Sequence, residues 1–128
     1  MTASTTLDAW APRILSITRI MSGLLLFSHG TSKLLMFPLN TWQPTVGSLP
    51  WYAGIIELVC GLLIALGLFT RPAAFLASGL TAFAYFIGHA PKSFFPVLNG
   101  GDAAILFCFI FLYFVFAGAG PWSVDARR

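Results

Sequence analysis

The chain has 128 residues, 58% of them hydrophobic and only 9% charged, with a mean hydropathy of +0.86. Soluble domains carry roughly 25% charged residues, so a water-soluble globular class is excluded and one compact integral membrane bundle is indicated. The net charge of +3 comes from basic residues standing singly at segment ends, which excludes a nucleic-acid surface and fits the positive-inside bias of membrane proteins.

In chain order, Met1 to Ala11 reads as a short polar leader, with Trp10 suited to a membrane interface and Pro12 to a helix start. A first helix is predicted over about residues 12–35; it lacks a small-x-small cleavage pattern and reads as a retained span rather than a signal peptide. Met36 to Pro50 holds three prolines and no charge, so it is an interfacial loop that folds back over the bundle. A second helix follows over 51–69 and a third over 72–89, joined so tightly at Thr70-Arg71-Pro72 that they must form an antiparallel hairpin. After a loop carrying Lys92, a fourth helix covers 100–118 and ends at Gly120-Pro121. The expected architecture is all-α: one domain over 1–128, an antiparallel bundle of four transmembrane helices. Arg13, Arg71, Arg127 and Arg128 flank one face against Lys33 and Lys92 on the other, which places both termini in the cytoplasm.

The run Trp51 to Arg71 is long enough to cross a bilayer yet holds one carboxylate, Glu57. An acid at a helix centre costs roughly 2.5 to 3.5 kcal/mol on insertion scales, which marks it as a candidate functional residue. At 1.5 Å of rise per residue, Glu57 lies about 5 Å and His29 about 7 or 8 Å outward of the middle of their helices, with His89 and Asp102 about 10 to 12 Å outward in theirs. All four helices therefore send a titratable group into the same half of the bilayer. Helical phase groups Arg19, Ser22, His29 and Lys33 on one face, Gly54, Glu57 and Gly61 on another, and Ser78, Thr81 or Ala82, Tyr85 and His89 on a third.

Each group also has a plainer reading. Lys33 and Lys92 can be snorkelling anchors. Arg19 is assigned to a structural ion pair, with bonds to carbonyls at helix ends as the alternative, and Glu57 can pair with Arg19 or with Lys33. Asp102, after Asn99-Gly100-Gly101, stands where a carboxylate caps a helix, and His89 where a histidine makes a local hydrogen bond. Cys60 and Cys108 fall at matched depth, but no C-x-x-C is present and both read first as small apolar residues. His29, His89, Glu57 and Asp102 are metal-ligand types, but no Glu-x-x-His pair occurs and Lys33 would repel a cation one turn from His29, so no metal is assigned.

The pattern Arg19-x-x-x-Gly23, His29-Gly30-x-x-Lys33-Leu34, Gly54-x-x-Glu57-x-x-x-Gly61, Gly67-Leu68-x-Thr70-Arg71, Asn99-Gly100-Gly101-Asp102 and Gly118-x-Gly120-Pro121-Trp122-Ser123-x-Asp125 resembles the DoxX family of small four-helix membrane proteins. The resemblance covers nearly the whole chain in order. It implies a membrane subunit working beside redox enzymes, and it makes His29, Lys33, Glu57 and Asp102 the polar centre. The family's usual acid at the position of Asp102 is glutamate; the shorter side chain favours capping there.

The leading functional expectation is a redox-associated subunit of a bacterial inner membrane with an outward-half pocket for quinone or a similar flat molecule. Glu57 and His29 would be its catalytic pair, exchanging protons with the ligand oxygens. Lys33, Trp51, Tyr52, Tyr85, His89 and Asp102 would complete the binding site. Its partners would be the lipid bilayer, redox-enzyme subunits and further copies of itself. A small-solute carrier and a non-catalytic scaffold docking through Met36 to Pro50 are the alternatives.

Overall fold

The structure is a computed structural model that describes residues 3–128. Among them are five α-helices, two short 3₁₀ turns and no strand. Helix α1 spans Ala3–Leu35, α2 Leu49–Leu66, α3 Thr70–Gly88, α4 Pro96–Asn99 and α5 Asp102–Ala117. The loop expected after the third helix thus contains the Ala90–Lys92 turn and the single turn of α4.

Helix α1 starts well before its expected boundary and runs through Pro12. A proline removes one backbone bond and disturbs one preceding carbonyl. The alanines, serine and threonines upstream can still keep helical geometry, so Pro12 lies inside the helix instead of opening it.

Two adjacent helices are fused by glycine. On α1, an added Cβ at Gly30 would stand 2.6 Å from the backbone nitrogen of Leu58; on α2, one at Gly61 would meet Phe27 of α1. Gly23 faces Ala65, and Gly54 faces Lys33 and Leu34. The early part of α1 therefore meets the late part of α2, an antiparallel pair in which side-chain-free positions seven apart allow backbone contact.

Helix α2 ends in a left-handed Gly67 (φ 71°), whose N–H bonds the Ile64 carbonyl while Leu68 N–H bonds that of Leu63. This double closure stops the helix three residues earlier than its apolar pattern suggests and turns the chain directly into α3. Helices α3 and α5 are also antiparallel: Arg71 near the start of α3 reaches Val115, Ser78 bonds the Cys108 carbonyl at 2.8 Å, and Tyr85 lies against Gly101.

Ala73, Ala74 and Ala77 on α3, Phe111 and Phe114 on α5, Cys60 and Ile64 on α2 and Leu26 on α1 form the core. Small residues on one helix receive the phenyl rings of the other. Among the described residues, the buried set holds slightly more polar or charged side chains than apolar ones, whereas Leu24, Leu25, Phe83, Phe86, Phe109 and Phe116 are exposed. Polar groups inside and large apolar groups outside reverse the soluble pattern. Leu49–Leu66 and Thr70–Lys92 are long and apolar enough to cross a membrane, and α5 is apolar but shorter.

Candidate functional site

The glycine seam determines what the charged residues can do. With Gly30 and Gly54 holding the backbones together, Lys33 Nζ reaches Glu57 Oε1 at 2.7 Å. The side chains keep 23% and 11% of their exposure, so the pair is withdrawn from solvent without being sealed. One oxygen of Glu57 and two N–H groups of Lys33 take no protein partner.

His29 stands apart from this pair. At 100° per residue it falls about 80° around the helix from Arg19 and about 100° from Gly30, at the edge of the buried stripe. The residue is exposed, makes no hydrogen bond and meets the ring of Phe107 edge-on with centroids 6.0 Å apart. It therefore lies at the junction of α1 and α5, one helical turn from Lys33.

The remaining residues of the expected site are distributed over other places. Tyr85 and His89 are joined through Asn99, whose amide nitrogen donates to Tyr85 Oη at 3.0 Å and whose carbonyl lies 3.1 Å from His89 Nδ1. Asn99 Oδ1 also accepts from Gly101 N–H at 2.8 Å, opening the way into α5. Asn99 is not among the residues of the expected site, although Asn-Gly-Gly is an Asx-turn signal. An apolar pocket of about 290 Å³ lies beside Tyr85, lined also by Phe86, Ile105, Cys108 and Phe109. Trp51 and Tyr52 contact each other at the start of α2, and Tyr52 lies about 140° around that helix from Glu57. Asp102 is exposed in the first turn of α5, where the helix dipole favours it, and makes no side-chain cap bond.

Arg19 departs from the ion pair expected of it. Its guanidinium is fully buried and donates to the carbonyls of Ile64 (2.9 Å), Ala65 (3.5 Å), Trp122 (2.8 Å) and Ala119. It closes the C-terminal end of α2, where partial negative charge gathers, and ties it to the chain after α5. Arg71 does the same for α5 through Val115 and Phe116 (2.8 and 2.7 Å). Asp125 caps α3 in the opposite sense, accepting from Phe69 and Thr70 N–H at 2.9 Å each. Burial alone would raise the Asp125 carboxyl; the bonds from Thr70, Phe69 and Arg128 outweigh it and hold the group below the usual carboxylate range.

Both cysteines are free: Cys60 sits in the core and Cys108 Sγ lies 3.5 Å from Ser78 Oγ. Among the described residues, no three histidine, cysteine, aspartate or glutamate side chains gather as metal ligands would.

Helices packed through glycine, a polar seam within and an apolar exterior define a small all-helical bundle of the membrane type. A sequence model of the DoxX family matches residues 14–90, which takes in most of α1 and all of α2 and α3. An uncharacterized protein of Haemophilus influenzae is 42% identical over 127 residues, covering 94% of this chain and 95% of its own. This chain belongs to the DoxX family. No solved structure matches it.

Proposed function

We propose that the chain crosses a bacterial inner membrane four times, through α1, α2, α3 and α5, with both termini cytoplasmic. In its outward half it binds quinone or a similarly flat apolar molecule, as a subunit serving a membrane redox system. Arg13, Arg71, Arg127 and Arg128 at one end support the orientation, and Trp10 and Trp122, both exposed near that end, suit an interface. Helix α1, at 33 residues, is about 50 Å long and so exceeds a hydrocarbon core of about 30 Å, leaving its N-terminal part outside.

The observation that carries the ligand reading is the spare bonding capacity of the Lys33–Glu57 pair. Arg19, Arg71 and Asp125 each serve a helix terminus; this pair serves none. A quinone or quinol has both an acceptor and a donor oxygen on an apolar ring, which matches an ammonium N–H beside a carboxylate oxygen. The quinone would supply the two-electron chemistry. Lys33 would bind a carbonyl oxygen, Glu57 would hold or pass a proton, and His29 beside Phe107 would exchange it with the exterior. Passage of a solute through the bundle is less well supported, because Arg19 and Ser78 in the inner half are already bonded to carbonyls.

The test is binding of a short-chain ubiquinone analogue to the purified protein, followed by tryptophan fluorescence. Glu57→Gln and Lys33→Met should each weaken it by about tenfold, the cost of one charge-assisted bond. Absence of binding by the unaltered chain would remove the reading.

A further inference from the structure

An open groove lies away from the Lys33–Glu57 pair, at the arginine-rich end. It has a volume of about 720 Å³ and opens between the α2–α3 turn, the end of α5 and the last residues of the chain. Small residues, Ala117 to Gly120, line one side, while Arg71 and Arg128 supply its cations.

Both guanidinium groups have protein partners and both are only partly used. Arg71 spends Nη1 on the Val115 and Phe116 carbonyls and rests over Gly118, leaving Nε and Nη2 without protein partners. Arg128 gives Nε to Asp125 Oδ1 at 3.2 Å and lies 4.3 Å above the Phe69 ring, leaving both terminal nitrogens free. The side-chain carboxylate lining the groove, Asp125, is occupied by Phe69 N–H, Thr70 N–H and Arg128. What remains is an open basic recess with unused planar donors, the arrangement that suits a phosphate oxygen pair.

We propose that this groove holds the phosphate of an anionic phospholipid headgroup from the cytoplasmic leaflet. The inference rests on the membrane orientation proposed above, which sets Arg71 and Arg128 at headgroup depth beside Trp122. A leaflet rich in anionic lipid attracts such a recess, and a lipid seated there would bridge the α2–α3 turn to the chain terminus.

The experiment uses the full chain in nanodiscs of mixed phosphatidylglycerol and phosphatidylcholine, with retained lipids counted by native mass spectrometry. The unaltered chain should keep phosphatidylglycerol above its bulk share, and Arg128→Gln, which removes one exposed side-chain bond, should cut that preference about fivefold. Arg71→Gln should cut it at least as much, and Lys92→Gln at the opposite end should leave it unchanged. Displacement by millimolar inorganic phosphate would assign the groove to phosphate anions generally; resistance to it would assign it to the headgroup. No phosphatidylglycerol preference, or one that survives both arginine changes, overturns the inference while leaving the membrane reading standing. Failure of the chain to enter nanodiscs overturns both.

Discussion

Lys33 and Glu57 meet at 2.7 Å across the α1–α2 seam because Gly30 and Gly54, one turn away on each helix, hold the two backbones in contact. The closeness of the helices and the ion pair are one structural fact. Side chains at the glycine positions would separate the pair, and a separated pair would leave two charges in poorly solvated surroundings.

Lys33→Met strands the Glu57 carboxylate, and it should cost about 2 kcal/mol, between the values for exposed and fully buried pairs. Lys33→Met combined with Glu57→Gln should regain most of that loss, because no charge is then left alone. Thermal unfolding of the four members of this cycle in detergent measures the coupling. A double variant as unstable as the sum of the singles would show that the two residues do not act as a pair.

Glycine substitutions should divide by position. Gly30→Ala places a methyl 2.6 Å from the Leu58 backbone, which cannot move aside, and the expected cost is at least about 3 kcal/mol. Gly79→Ala meets nothing within 4 Å and should stabilise α3 by about 0.5 to 1 kcal/mol through helix propensity alone. Melting temperatures of the two variants against the parent decide this. Equal effects would mean that the seam is not tightly packed.

The sequence made Glu57 conspicuous because an acid inside an apolar run has no cheap explanation. The tight α2–α3 connection was equally legible from Thr70-Arg71-Pro72, although Gly67 sets the stop through a backbone closure that hydropathy does not register. Lys33 stayed divided between anchor and partner, since phase brings it to the seam but cannot show how close α2 comes. Phase groups His29 with it, yet one residue of offset from Gly30 sets His29 at the edge of the buried face. The partners of Arg19 lie 45 to 103 residues away in sequence, on the end of α2 and the returning tail, so no local pattern could name them. Asn99 joins Tyr85, His89 and Gly101 through loop geometry, which periodicity does not describe.

Arg19 should tolerate no replacement. Arg19→Lys keeps the charge but offers a single compact ammonium where four carbonyls are now served by a planar fork. The expected cost is about 3 kcal/mol, because buried acceptors lose their donors. Arg71→Lys, at an exposed site with two carbonyl partners, should cost about 1 kcal/mol. Chemical denaturation in a mild detergent measures both, and an Arg19→Lys protein as stable as the parent would contradict the clamp.

Asp125 gives the fold a dependence on acid. Its carboxyl is held below the usual carboxylate range by the N–H groups of Phe69 and Thr70 and by Arg128, so the folded chain binds its proton more weakly than the unfolded chain does. The stabilisation is therefore fully present above the unfolded value of about 3.9 and is lost as pH falls through the lower folded value. At neutral pH it should amount to about 1 kcal/mol, the usual worth of a helix cap, with a further share from holding Phe69 in its left-handed turn (φ 50°). Asp125→Asn keeps the shape, gives up the charge and should flatten the acid limb of the unfolding profile while lowering stability at pH 7. Unfolding followed from pH 7 down to about pH 2, through the window below the unfolded value, tests this; parallel profiles for parent and variant would mean that the acid sensitivity arises at another carboxylate.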